Sequence, residues 1–252
     1  MDFPYANQEI ERQPIPVFLP GPAVRPGRFR GRGLIGPARR GQPDQLHPGV
    51  HAEPGLMVHV SVVSPKGGVG KTMLALQLAA SFARDGLRTC LVDHDPQGSA
   101  LVFGKIAQRA GVELPFVPTN ARVSGFDVYI HDHPPGLQEA YPSRIAVVPT
   151  LLDPPSFLIH RRGLRHLEER GLVVAPVACR YRSDRKQQRD LVAAHFLDRP
   201  VVKDRDVYPT CYGRGLTVVD ARGIPHLAKA QNEIALLRAA VDAAITQLPL
   251  SP

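Results

Sequence analysis

The sequence predicts an α/β fold: a doubly wound, mostly parallel sheet flanked by helices over residues 57–252, preceded by a disordered tail over residues 1–56. Three observations predict it. Short apolar runs without sustained alternation, as in strands buried on both faces, recur from Met57 onward. Stretches of helical pattern separate several of them. The first 56 residues, by contrast, hold ten of the 26 prolines and eight of the 22 glycines, and such a segment cannot bury enough apolar surface to offset the entropy of ordering it.

MVHVSVV (57–63) reads as the first strand. A glycine-rich turn follows, then KTMLALQLAASFARDG, in which Leu74, Leu78 and Phe82 recur every four residues and Gly86 is placed to end a helix. RTCLVDHD, DVYIHDH, RIAVVPT and GLVVAPVAC read as further strands, with helices at about 156–170, 184–197 and 225–247. No internal repeat is visible. In the tail, VRPGRFRGRGLIGPARRG carries six arginines and no acid. It reads equally as a passive tail or as a nucleic-acid contact, and Met57 could be an alternative start.

Composition narrows the classes. Hydrophobic residues at 43% and charged residues at 21% suit a globular core in solution, and no apolar run nears the roughly 20 residues that span a bilayer. No secretory pattern opens the chain. Cys90, Cys179 and Cys211 are odd in number and widely spaced, which indicates neither a disulfide framework nor a zinc site and suits a cytoplasmic setting. A formal charge of +8 points to a polyanionic partner.

SPKGGVGKT (64–72) stands between the first strand and the first helix, where a phosphate-binding P-loop belongs. Gly70, Lys71 and Thr72 fit the general pattern, while Pro65 replaces its first glycine. Gly67, Gly68 and Gly70 allow backbone N–H groups to turn inward on phosphate oxygens, at the positive end of the helix that follows. Lys71 would neutralise the β- and γ-phosphates and the Thr72 hydroxyl would ligate Mg²⁺. Lys66 is left without a task by this pattern.

KGGxGK[ST] resembles the deviant Walker A motif of the ParA/MinD family of ATPases, closest to ParA-like partition proteins. LVDHDPQGSA (91–100), FDVYIHDHPPG (126–136), VVPT (147–150) and GLTVVDARGIPHLAKAQNEIALL are similar to later family segments, so the resemblance covers most of residues 57–245. It implies a P-loop NTPase fold with ATP and Mg²⁺ bound by Lys66, Gly67, Gly68, Val69, Gly70, Lys71, Thr72 and Met73. Lys66 would reach the partner's phosphates in an ATP-dependent homodimer while Lys71 acts in its own subunit. Asp95 would orient the attacking water, with Thr72, Asp93 and Asp132 serving the metal. Both Asp93 and Asp95 are expected at the end of the second strand, on one face. Asp127 is expected to be structural. The family's adenine-contacting asparagine is replaced by Cys179 and Arg180, and Met73 stands where a second threonine is common.

His94, His131 and His133 alternate with these aspartates and are expected to point to the opposite face, for packing or solvent contact rather than a transition metal. Two basic groups, Arg161, Arg162 and Arg165, then Arg182, Arg185, Lys186 and Arg189, lie where ParA-like proteins hold nonspecific DNA. Aromatic residues at 6%, with no tryptophan, disfavour a single-strand stacking platform and leave duplex phosphate contact. The C-terminal stretch has no basic amphipathic pattern and is broken by Pro249, so no membrane partner is expected. The resemblance implies a cytoplasmic, nucleoid-associated partition ATPase released from DNA by a ParB-like activator. A positioning ATPase for conjugation or other cargo, and a nucleotide-responsive DNA-binding regulator, stay open as alternatives.

Overall fold

The computed structural model describes residues 57–248. The expected disordered tail and Pro249 lie outside the described residues. In chain order the elements are β1 (Val58–Val62), α1 (Lys71–Arg84), β2 (Thr89–Asp93), α2 (Ser99–Arg109), β3 (Val117–Thr119), β4 (Val128–Asp132) and β5 (Ile145–Leu151). They continue with α3 (Pro154–Glu169), β6 (Val173–Tyr181), α4 (Lys186–His195), β7 (Val201–Lys203), α5 (Val207–Gly213) and α6 (Leu227–Thr246). The strands form one sheet in the order β3–β2–β4–β1–β5–β6–β7, and every pairing is parallel. From β1 the chain winds outward through β2 and β3, returns at β4, then continues on the other side through β5, β6 and β7. A sheet wound both ways in this manner opens a crevice beyond the carboxyl ends of its central strands.

The main core lies where α1 and α6 pack on the sheet. Leu74, Ala75, Leu78, Ala79 and Phe82 of α1 bury against Val60, Val62, Leu91, Val128 and Ile130, and Ile234, Leu237 and Val241 of α6 join the same cluster. Each such leucine or isoleucine contributes about 1.5–3 kcal/mol on burial. Arg238 of α6 fastens the two helices: its guanidinium stands 3.6 Å from the Phe82 ring centroid. It is 2.8 Å from Asp85, though not aligned there as a hydrogen bond, and 2.9 Å from Asp242.

The sequence pattern finds β1, β2, β4, β5, β6, α1, α3, α4 and α6 to within a few residues. It passes over α2, β3, β7 and α5. The two strands are edge strands of three residues each, too short for any period to register. For α5, position is set by a close approach rather than by pattern. Gly215, at φ 67°, passes so near α2 that a Cβ there would stand 2.3 Å from the Ala107 Cα.

Glu233 of α6 ties this end of the molecule together. Its carboxylate accepts from Arg205 at 2.7 Å, from the Tyr208 hydroxyl at 3.1 Å and from the Lys203 backbone N–H at 3.2 Å, joining β7, α5 and α6. Removing one partner of a buried ion pair strands the other. Glu233→Ala is therefore expected to lower stability by about 3 kcal/mol in urea unfolding, with Glu233→Gln intermediate; a loss below about 1 kcal/mol would deny this network its role.

Candidate nucleotide-binding site

The turn from β1 to α1 is shaped by glycine. Gly68 and Gly70 have φ of 71° and 101°, values that favour a residue without Cβ. Gly70 caps α1 with no side-chain hydrogen bond and no acid in the first turn, so the N–H groups and positive end of the helix face the crevice unmet. Ser64 forms an isolated bridge to Gly136, whose N–H donates to its carbonyl at 3.1 Å. Pro65, the departure from the general pattern, is accommodated from the neighbouring helix: at Gly163 of α3 a Cβ would stand 3.2 Å from the Pro65 Cγ.

Lys71 opens α1 and is buried. Burial lowers its pKa, against the opposing pull of the Asp132 and Asp95 charges. Asp132 ends β4 with 1% exposure, and neither carboxylate oxygen has a hydrogen-bond partner among the described residues. Burial pushes its pKa up to about 7; the Thr72 hydroxyl lies near enough to pull the other way but reaches neither oxygen in hydrogen-bond geometry. A buried carboxylate without a hydrogen-bond partner, with a hydroxyl nearby, is a donor set that suits a hard cation such as Mg²⁺.

The structure revises the expected pairing of Asp93 with Asp95. β2 ends at Asp93, so Asp95 lies in the following turn, where one oxygen accepts from the Gln97 N–H at 2.9 Å. Asp93 instead serves the backbone. One oxygen accepts from the Asp95 N–H at 3.1 Å and the other from Ala100 and Leu101 at 2.9 and 3.3 Å, in the first turn of α2. Asp127 is structural as expected, paired with Arg88 at 2.6 Å.

Lys66 does not join Lys71. Its ammonium donates to the Ser156 hydroxyl at 2.6 Å, and that hydroxyl donates to Asp153, the N-cap of α3, at 2.6 Å. Burial works against the Asp153 charge, but the Ser156 bonds and Lys66 outweigh it and hold the pKa below the ordinary value. Neither this cap nor its contact with Lys66 was identified from the sequence; the signal available was an aspartate three residues before a serine at the start of a helical pattern.

The histidines do face away from the aspartates, as alternation requires. His59, His131 and His94 form a hydrogen-bonded series at 3.0 and 2.9 Å. His133 stacks on His94 and shares a hydrogen bond of 3.1 Å with the Ser61 hydroxyl. Among the described residues, no three or more His, Cys, Asp or Glu side chains are arranged so that they could hold a metal ion. Cys179 is buried in the core with its thiol pushed up to about 12 by burial, which leaves the exposed Arg180, at φ 53°, at the strand end. Of the basic residues, Arg161, Arg162 and Arg165 are exposed on α3. Arg182 pairs with Asp184 at 3.3 Å, Lys186 with Asp190 at 2.8 Å, and Arg189 donates to the Ser183 carbonyl at 2.8 Å, all near the amino end of α4.

A glycine loop feeding a helix, a buried lysine and an unpaired carboxylate, set at the carboxyl ends of a parallel sheet, define a nucleotide-binding P-loop protein. Residues 60–230 match the family described as CobQ/CobB/MinD/ParA nucleotide binding domain, and the chain belongs to this ParA/MinD-type family. It is 42% identical over 91 residues to Maintenance of carboxysome distribution protein A of Gloeobacter kilaueensis, covering 32% of this chain and 40% of that one. It is 56% identical over 41 residues to the chromosome-partitioning ATPase Soj of Thermus thermophilus, 16% of each chain. The chain thus spans less than half the length of these curated relatives. A putative plasmid partition protein of Borrelia burgdorferi B31, solved bound to AMPPNP, shares the fold at a TM-score of 0.58 and 13% identity, over 72% of this chain and 98% of that one. No helix among the described residues is long and apolar enough to cross a membrane.

The histidine stack makes stability depend on pH. Burial drives His131 and His133 down to about 3 from 6.5. Their contribution is complete above pH 6.5 and is lost as pH falls from there towards 3. Asp132, raised from 3.8 to about 7, runs the other way, its contribution being lost as pH rises through that interval. With two imidazoles against one carboxyl, acidification from pH 6.5 to 5 is expected to cost about 1.5 kcal/mol. Thermal melts across that range check this, and His131→Asn should flatten the dependence; an unchanged slope in that variant would remove the stack as its source.

Proposed function

We propose that the chain is a ParA-like, Mg²⁺-dependent ATPase with slow basal turnover, acting in plasmid or chromosome partitioning from residues 57–252. ATP drives two copies together, the dimer holds duplex DNA without sequence preference, and hydrolysis, stimulated by a ParB-like activator, releases it at the nucleoid. The observation that carries this reading is the separation of the two lysines. Lys71 is buried beside Asp132 and Asp95, whereas Lys66 turns away onto Ser156, as suits a residue whose phosphate lies in another subunit. The partition roles in the names of Soj and the Borrelia protein support it as well.

In this scheme the N–H groups of the glycine loop, with Gly67, Gly68, Val69 and Gly70, cradle the phosphates, and Lys71 and Met73 follow on α1. Thr72 and Asp132 would hold Mg²⁺, which when bound offsets charge on the transferring phosphoryl group. Asp93, its oxygens engaged by α2, supports this set by fixing the Asp95 backbone. Asp95 orients the water whose oxygen bonds to the γ-phosphorus as the bridging oxygen departs with ADP, and the water's proton passes to the released phosphate. Lys66 leaves Ser156 and stabilises that charge across the dimer. For DNA, Arg162, Arg182, Arg185, Lys186 and Arg189 form the proposed face; Arg161 and Arg165, first grouped with them, line a cavity between α3 and α4 instead. Lys186 and Arg189 stand in the first turn of α4, whose cap Arg185 makes no side-chain bond. Cations there oppose the helix dipole, so a polyanion would relieve a local cost.

A related cargo-positioning role is favoured by the identity to the carboxysome distribution protein. The partner found beside the gene separates the two readings. A DNA-binding regulator would differ by showing no turnover with DNA and activator saturating.

Lys71→Ala is expected to lose ATP binding. Asp95→Ala should bind ATP and dimerise without hydrolysing it, and Lys66→Ala should bind ATP yet stay monomeric by light scattering. Basal turnover should fall well below about 10 per second. ATP-dependent dimerisation intact in Lys66→Ala would refute its action across subunits. A chain beginning at Met57, run in the same assays, tests whether residues 57–252 suffice.

DNA affinity should require ATP and fall steeply with salt, by a logarithmic slope of about −0.9 for each phosphate contact. Replacing Arg185, Lys186 and Arg189 with alanine should flatten that slope and leave dimerisation unchanged. Equal DNA affinity with and without ATP would break the proposed coupling.

A further inference from the structure

A cavity of about 210 Å³ lies between α3 and α4, and its polar lining is His160, Arg161, Arg165, Glu168, His195 and Arg199. None of these residues belongs to the glycine loop or to the carboxylates around it. Arg161 and Arg165 stand one helical turn apart, so they line the same side, and Arg162 is not among the lining residues. No ion pair engages Arg161, Arg165 or Arg199 among the described residues. Glu168 offsets one of the three guanidinium charges, and a net excess of two remains.

The cavity also holds an unsatisfied group. His160 is 2% exposed, and neither ring nitrogen has a hydrogen-bond partner among the described residues. Its ring lies beside Phe157 and Phe196, with centroids 6.1 and 6.4 Å away. Those phenyl rings fix its position and offer no acceptor. Buried polar groups are paired with few exceptions, and His160 is both unpaired and one of the residues lining this cavity. Burial, and then the Arg199 charge, lower its pKa to about 4. The neutral ring therefore retains one N–H to donate.

We propose that this cavity binds the phosphomonoester group of a small ligand, gripped by Arg161, Arg165 and Arg199, with an N–H from His160 at its floor. A phosphomonoester carries close to two negative charges and matches the excess, whereas a carboxylate carries one. Guanidinium forks also suit phosphate oxygens. A duplex presents its phosphodiesters on a convex rod, so they cannot reach a floor that is 2% exposed. The terminal phosphate of a small ligand suits a concave site of about 210 Å³. The site is independent of the partition reading, because neither its ligand nor its residues take part in ATP turnover.

The test uses the full chain with AMPPNP and Mg²⁺ saturating the glycine loop, γ-phosphate position included, so that added phosphate reads only a second site. Inorganic phosphate and glycerol 3-phosphate are titrated by calorimetry. One saturable site per chain is expected, with the ester binding at least as tightly as the free ion. Arg165→Ala and Arg199→Ala should each weaken it about tenfold or more. His160→Phe should do the same while keeping the ring packing. If that variant fails to fold, Arg199→Ala decides, since Arg199 is exposed. Replacing Arg185, Lys186 and Arg189 together should leave phosphate binding unchanged. The proposal is overturned if no saturable binding occurs, if Arg199→Ala binds like the parent, if the ester is excluded while free phosphate binds, or if a short duplex displaces the bound phosphate. Loss of ATPase in Lys71→Ala bears only on the partition reading.

Discussion

The site depends on the burial of Lys71 at the amino end of α1. An ammonium taken out of water needs compensation, and this one sits where the helix dipole already adds positive charge. Asp132 and Asp95 supply part of that compensation. Asp132 is itself so buried that its carboxyl leans towards the neutral form. The result is a cluster whose own charges do not satisfy one another, although every element around it is well packed. The apolar faces of α1 and α6 and the Arg238 clamp provide the surplus stability that holds it in place. A site of this kind is completed by an anion at the helix end and a cation at the carboxylate, which is what ATP with Mg²⁺ would bring.

The two pleat faces of the central strands are filled differently. Val58, Val60, Val62, Val128 and Ile130 meet the helices of the main core. The alternate residues His59, Ser61, Tyr129 and His131 point the other way, where α3 lies over β5 and β6. There the rings pack on one another: His59 on Tyr129 at 4.7 Å, on His131 at 5.2 Å, then His131 on His94 at 5.2 Å. Neutral imidazoles can do this because each offers one donor and one acceptor, so the series satisfies itself without charge. Ser143 closes the end by donating to the His59 carbonyl at 2.5 Å. The arrangement places the aspartates on one pleat face free of competing ligands.

How much of this was legible depended on whether neighbours in sequence decide it. The glycine loop, the long helices and the buried strands are local patterns, and all appear where the residues predict them. Asp93 shows the limit. Two aspartates at i and i+2 share a face only while the strand lasts, and β2 stops at the first of them because Asp93 turns to cap the first amides of α2. That helix buries Ala100, Phe103 and Ala107 at helical spacing in SALVFGKIAQR, a signal the sequence reading passed over, and the capping role of Asp93 went with it. The histidine spacing was plain, but the contact of His59 with His131 exists only through the register of β1 with β4. Lys66 with Ser156, and His160 with Arg199, likewise depend on tertiary proximity that no window of sequence contains.

α3 is the element that relates these features. Its cap holds Lys66, its Gly163 lies against Pro65 of the glycine loop, and its middle turns carry His160, Arg161 and Arg165. Release of Lys66 need not disturb the helix. Asp153 keeps its bond to the Ser156 N–H at 3.0 Å when the lysine departs, so the cap survives and the change costs about the 1.5–3 kcal/mol of one charge-assisted hydrogen bond. Phosphates on an opposing subunit could supply that much through contacts of the same kind. Pro65 next to Gly163 explains why the loop stays in place meanwhile: the proline ring, where the general pattern has a glycine, has little room against the helix backbone. Lys66 is thereby held at its backbone, while its ammonium is tied by the bond to Ser156.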